Sequence, residues 1–363
     1  MIEENKALNN AELETEEEYS AEEIEQNPDS DADDEYYDEQ SDFYFIRERI
    51  LTVVKKLLNV KIIAVVLAVI IFAQGITGII LSGSVLRSGS FAASEKSEKI
   101  IRKTLSNDAQ IQWLLSKSND KYTENEEGSK LHAVELKNYS TSHSYIIMCH
   151  PFTAGVKDMA AHAYHFYDLG FNVWLPDAGG CGESEEKTVN MGWLDRHNIL
   201  LWINEIIKED KEAKIFLFGL GMGGTTVLMA SSLELPENVR AIISDSAYSD
   251  VHELFKANIK ELYNVPSFPV VNIASLYVNI TQGWSFKEAS ALEQVKNAKV
   301  PVLFIHGGDD NVVPVSQSND LYEACAARGS DHLLISGASH CKARETNEEK
   351  YWMNVDSFIL DNI

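Results

Sequence analysis

From about residue 131 onward, short apolar runs alternate with longer amphipathic stretches. The runs fall at 145–149, 172–175, 215–218, 241–244, 300–305 and 333–335, and the stretches include 159–169, 193–207 and 316–327. Short apolar runs bounded by turn residues predict buried strands, and the amphipathic stretches predict helices laid over them. Strands alternating with helices imply a mostly parallel sheet covered on both faces, an α/β architecture. Such sheets bind ligands at the carboxyl ends of their strands. Residues 251–299 are too long for a simple crossover and contain Pro266, Pro269 and Trp284. They predict a small lid over that edge.

A different pattern precedes this region. Residues 62–81 carry no charge, with Gln74 and Thr77 the markedly polar positions. Twenty such residues in a helix cross the ~30 Å hydrocarbon layer of a bilayer. A cleaved signal peptide is disfavoured by the length of the run and by the sixty residues before it. Arg47, Arg49, Lys55, Lys56 and Lys61 crowd the N-terminal flank, whereas the other flank has Arg87 before Lys96. The positive-inside rule then predicts a single-pass cell-membrane protein with its N-terminus in the cytoplasm and its C-terminal domain outside. The organisation read from the chain is an acidic tail (1–45), a basic juxtamembrane segment (46–61), a span (62–82), a stalk (83–130) and the α/β domain (131–363).

Charge sharpens the picture at the N-terminus. Residues 1–42 hold eighteen Asp or Glu against one Lys, most of the formal net charge of −25. Such a segment repels itself and has little apolar area to bury, which predicts disorder. As an alternative it would dock a basic protein partner. The acidic balance and the lack of a basic face argue against nucleic-acid binding. Cys149, Cys181, Cys325 and Cys341 are too few to build a disulfide framework.

The candidate chemistry sits just after the predicted strands. Gly219-Leu220-Gly221-Met222-Gly223-Gly224 follows an apolar run and leads into another. This is the layout of a nucleophile elbow, G-x-S-x-G, with glycine where the serine belongs. His306-Gly307-Gly308-Asp309-Asp310 and Val313-Pro314 follow the run at 300–305, and Gly337-Ala338-Ser339-His340 follows the last run. Elbow, acid and histidine thus occur in the order of a hydrolase triad.

On these motifs the chain resembles the α/β-hydrolase superfamily, especially its membrane-anchored bacterial serine-aminopeptidase and monoacylglycerol-lipase-like members. Leu175-Pro176-Asp177, Gly180-Cys181-Gly182-Glu183-Ser184 and Met191-Gly192-Trp193-Leu194-Asp195 add to the likeness. The resemblance implies Asp310 as the acid, His340 as the base, and an oxyanion hole from the backbone N–H groups of Met222 and Phe152. It implies small esters or peptides as substrates and no cofactor. Gly221 departs from the family at the attacking atom. Losing the nucleophile in comparable triads costs on the order of 10⁶ in kcat, so acyl transfer is expected to be absent or very weak. The alternative is a non-catalytic ligand-binding or interaction module. Pro151, Cys181 and Cys341 also depart from the pattern.

Two further readings compete. Residues 219–224 also spell G-x-G-x-x-G, with Asp245 ending the next apolar run, the fingerprint of a dinucleotide site. His150, Cys181, His340 and Cys341 all fall on predicted loops at one sheet edge, a set compatible with zinc. Their spacings match no zinc motif, so no metal is expected.

Overall fold

The computed structural model describes residues 39–86, 105–139, 141–152 and 154–363. Most of the acidic tail and the first part of the expected stalk lie outside the described residues. The chain divides into two compact units, 1–64 and 65–363. The described part of the first unit is helical throughout, the opening portion of α1 (Glu39–Val85). Across residues 43–80 this helix is long and apolar enough to cross a membrane.

The second unit contains one eight-stranded sheet. After α2 (Asp108–Lys117) come β1 (Asn119–Glu124), β2 (Lys130–Leu136) and β3 (Ser144–Cys149). α3 (Ala160–Asp168), β4 (Asn172–Pro176), α4 (Asp195–Glu209) and β5 (Lys214–Leu220) follow, then α5 (Met222–Ala230) and β6 (Val239–Asp245). The segment between β6 and the next strand holds α6 (Val251–Tyr263), α7 (Ser267–Gln282) and α8 (Ala291–Val295). The chain closes with β7 (Val302–Gly307), α9 (Val315–Ala324), β8 (Asp331–Ile335), α10 (Ala343–Thr346) and α11 (Glu348–Leu360).

The strand order is β1-β2-β4-β3-β5-β6-β7-β8. β1–β2 and β2–β4 pair antiparallel, and the remaining pairs are parallel. The six expected strands are all present. β1 and β2 are additions: β1 falls within 83–130, the segment read as stalk, and forms the sheet edge against β2. Its sequence, Asn-Asp-Lys-Tyr-Thr-Glu, is polar because one edge strand with little buried area needs no apolar run.

Central strands such as β5, with Ile215-Phe216-Leu217-Phe218, are buried on both faces, so they read as continuous apolar runs. Alternate side chains feed two cores. Ile147, Ile215 and Leu217 pack with α4, α5 and α7, while Ile146, Phe216 and Phe218 pack with α3 and α11. The layers hold the carboxyl ends of β3, β5, β6, β7 and β8 side by side.

Candidate active site

The turn from β5 to α5 brings the chain abruptly out of the sheet. Gly221 adopts φ 58°, ψ −115°, a conformation costing a side-chain-bearing residue about 1–3 kcal/mol. Its N–H donates to the Asp245 carbonyl at 2.8 Å and its own carbonyl accepts from Thr225 N–H at 3.0 Å. The flanking glycines allow close packing: a Cβ on Gly219 would strike the Gly223 carbonyl, and one on Gly223 would strike that of Cys149. Asp245 is also committed, accepting from Ser246 Oγ at 2.8 Å and Tyr351 Oη at 3.0 Å in a fully buried setting. Buried and so partnered, Asp245 does not present its carboxylate at the sheet edge.

Asp310 and His340 meet from the loops after β7 and β8. His340 Nδ1 donates to Asp310 Oδ2 at 2.8 Å. The other carboxylate oxygen accepts the N–H groups of Val312 and Val313 at 2.9 and 2.8 Å. His306 Nε2 donates to the Val313 carbonyl at 2.9 Å and lies 3.3 Å from Asp310 Oδ2. Burial alone would raise the Asp310 pKa. The hydrogen bonds from His306 and His340 and the charge of His340 outweigh it and hold the carboxyl well below its usual range. Asp309 is exposed and its N–H goes to the Ala338 carbonyl, so Asp310 is the acid facing the imidazole.

The opposite edge of that imidazole faces Gly221. A Cβ on Gly221 would lie 3.5 Å from His340 Nε2 and 3.2 Å from Pro151 Cβ. It would lie still closer, 3.1 Å, to Cys341 Sγ. The thiol therefore occupies the neighbourhood a serine hydroxyl would take. Sequence reading left this place without an attacking atom, because Cys341 registered there as a departure from pattern and not as an occupant of the gap. Thr225 and Thr226 do not compete. Thr225 Oγ1 lies 3.4 Å from the carbonyls of Gly221 and Tyr248, and Thr226 Oγ1 donates to that of Met222 at 2.8 Å.

Cys341 is held in an uncommon backbone conformation, φ 57°, and is 6% exposed. Its N–H donates to Ser246 Oγ at 3.1 Å, and Ser246 itself sits at φ 58°. Ser246 was invisible to motif reading, since nothing in its neighbourhood marks a serine that positions another loop. Burial pushes the Cys341 thiol up, with His340 pulling the other way. For His340, burial opposes the charged ring, but Cys341 and Asp310 outweigh it and raise the imidazole well above its usual range. Sulfur and imidazole therefore titrate as a coupled pair, with the ring oriented by a buried carboxylate.

The remaining sequence candidates have other employment. His150 is buried beneath the first loop; Nδ1 donates to the Pro151 carbonyl at 2.9 Å and Nε2 accepts from Ala178 N–H at 3.1 Å. Cys181 lies in the loop after β4, its thiol pushed up to about 12 by burial and by the charges of Asp195 and Asp177. All four cysteines are free. Among the described residues no cluster of three or more His, Cys, Asp or Glu is arranged to hold a metal ion. Phe152 is half-buried in the turn after β3, and Met222 opens α5 directly after Gly221. A first-turn N–H such as that of Met222 has no partner within its helix.

Comparison with known proteins agrees with this architecture. The family described as alpha/beta hydrolase fold matches residues 145–279, and serine aminopeptidase, S33, matches residues 269–347. The uncharacterized protein YqkD of Bacillus subtilis is 29% identical over 224 residues, 60% of this chain and 71% of that protein. Lysophosphatidylserine lipase ABHD12 of Danio rerio is 27% identical over 197 residues, covering 52% of this chain and 49% of its own length. The Pyrococcus furiosus esterase Pf2001 superposes with a TM-score of 0.58 at 18% identity, over 69% of this chain and 93% of the esterase. An elbow after β5, an acid after β7 and a histidine after β8, on a sheet of this order, follow one family's plan, and the chain belongs to the α/β-hydrolase superfamily.

Proposed function

We propose that the protein is a membrane-attached acyl hydrolase whose nucleophile is the Cys341 thiol, acting where the superfamily's serine would act. The observation that carries this reading is the 3.1 Å approach of Cys341 Sγ to the Cβ position of residue 221, beside His340 Nε2. Gly221 is then a requirement and not a loss, because a side chain there would press on the sulfur.

The chemistry follows from the geometry. As the sulfur bonds to an acyl carbonyl carbon, its proton passes to His340 Nε2, and Asp310 stabilises the imidazolium. The carbonyl π electrons move to oxygen, where the N–H groups of Met222 and Phe152 supply hydrogen bonds. Collapse expels an alcohol or amine that takes the proton from His340, leaving a thioester. Water, deprotonated by His340, cleaves the thioester and restores the thiol. Esters suit this route best, consistent with an esterase and a lipase among the similar proteins.

On this reading α1 attaches the protein to the membrane, and the basic flank at Arg47–Lys61 supports an N-terminus in the cytoplasm with the α/β domain outside. The acidic tail remains available for a basic partner.

The test needs no known substrate. Iodoacetamide alkylation of the full chain in detergent, read by peptide mass spectrometry, should modify Cys341 faster than Cys149 or Cys181, and His340→Ala should slow Cys341 selectively. Turnover of short-chain p-nitrophenyl esters should vanish in Cys341→Ala. Ester turnover that survives Cys341→Ala would refute the thiol route. A Cys341 no more reactive than Cys149 would return the site to the non-catalytic, ligand-binding reading.

A further inference from the structure

The segment between β6 and β7 carries a feature that hydrolysis does not require. Residues 262–286 contain no charged side chain. α7 lies in the middle of this stretch and shows solvent a row at four-residue spacing, Asn272, Leu276 and Ile280, with Phe268 exposed at the extended kink near its start. Phe268, Leu276 and Ile280 are 75%, 59% and 75% exposed. The inward side of the same helix, Val270, Val271, Ala274 and Val278, is already used in the core against the sheet. A water-facing helix would carry charge on its outer side.

What covers that outer face is indicated by the neighbour of α7. Gly75 and Gly78 of α1 pack directly on it. A Cβ on Gly78 would lie 2.8 Å from the Val270 carbonyl and 3.3 Å from Ala274 N, and one on Gly75 would touch Ile273. Small residues that bring two helix backbones together are the usual contact between helices inside membranes. The apolar run of α1 ends at Leu81. At 1.5 Å per residue, Gly78 and Gly75 lie about 4.5 and about 9 Å inside that end. This is the depth, roughly 5–10 Å, at which a helix lying in a bilayer interface buries its apolar face.

We propose that α7 rests in the surface of the same bilayer that α1 crosses, with Phe268, Leu276 and Ile280 among the lipid acyl chains. The segment between β6 and β7 is then in part a membrane element. The proposal rests on α1 spanning the membrane but not on the thiol chemistry.

Depth-dependent quenching tests it. Full-length Leu276→Trp and Ile280→Trp variants would be reconstituted into phosphatidylcholine vesicles with and without acyl-brominated lipid. Met353→Trp is the control: Met353 is 63% exposed on α11, which packs on the opposite sheet face. The six native tryptophans contribute equally to all three. Bromolipid should quench the added fluorescence at 276 and 280 by about twofold or more, and leave that at 353 unchanged, as expected for a helix at acyl-chain depth. Equal quenching at all three positions in chains that entered the vesicles would overturn the placement of α7. Failure to enter the vesicles would overturn the span and the placement with it. A 280 signal indifferent to bromolipid but sensitive to dilution of the protein in lipid would assign the face to a second copy instead.

Discussion

Placing a side chain at position 221 tests whether sulfur holds the nucleophile's ground. Two costs can be read from the structure. The first is the backbone, φ 58° and ψ −115°, worth about 1–3 kcal/mol against any non-glycine residue. The second is crowding: the new Cβ would sit 3.1 Å from Cys341 Sγ and 3.2 Å from Pro151 Cβ. Both distances are tighter than ordinary contact, and neither neighbour yields easily. Pro151 is a ring, and Cys341 is tied through its N–H to the buried Ser246 hydroxyl. Overpacking of this kind costs about 1–3 kcal/mol. Gly221→Ser alone should therefore lose about 2–6 kcal/mol, the two costs together.

Cys341→Ala removes the sulfur but not the backbone strain. In the double variant the serine hydroxyl gains room beside His340, and about 1–2 kcal/mol of the loss should return as coupling between the two sites. Thermal unfolding of the four proteins in one detergent measures that coupling. A fluorophosphonate probe measures its chemical counterpart. The native chain should not label at position 221, Gly221→Ser should label slowly, and the double variant should label fastest. Four stabilities that add within about 0.5 kcal/mol, with equal labelling of the single and double variants, would show that Sγ does not occupy the contested space.

Other consequences follow from the same contacts. Asp310→Asn should leave the fold intact but cut Cys341 alkylation and ester turnover, by up to about 10⁴-fold if it behaves as the equivalent change does in a Ser-His-Asp triad. The form carrying both protons, thiol with imidazolium, is inactive, and His340 titrates above its ordinary value of 6.5. The acid limb of kcat/KM should consequently lie above pH 6.5, with activity rising as pH increases through it, and a limb below 6.5 would contradict the Cys341–His340 coupling. Ser246→Ala removes the hydroxyl that accepts from Cys341 N–H and donates to Asp245. It should cost about 1–3 kcal/mol and lower kcat more than it changes KM, measured by unfolding and steady-state kinetics. Gly78→Leu would drive a side chain into the α7 backbone at Val270. Limited proteolysis should then cut within 262–286 at least several times faster than in the native chain, while cleavage at α11 stays unchanged.

The parts of the molecule that could be read in advance were those whose residue types are fixed by local demands. Strands buried on both faces must be apolar throughout, so β3, β4, β5, β6, β7 and β8 stood out, whereas β1, a polar edge strand, did not. The elbow was legible because only glycines permit Gly219 and Gly223 to pack on backbone carbonyls, and the acid loop because the Asp310 carboxylate collects the N–H groups of Val312 and Val313 within the same turn. Cys341 belongs to another category. Its sulfur reaches the elbow only because β8 delivers its loop beside β5's turn, because φ 57° swings the side chain inward, and because Ser246, ninety-five positions earlier, holds that backbone in place. None of these conditions has a signature within a few residues of Cys341. A deletion at one position and a gain at another look like two unrelated departures when read along the chain. In space they are complementary, since the atom missing from Gly221 is what leaves the sulfur its room, and each departure accounts for the other.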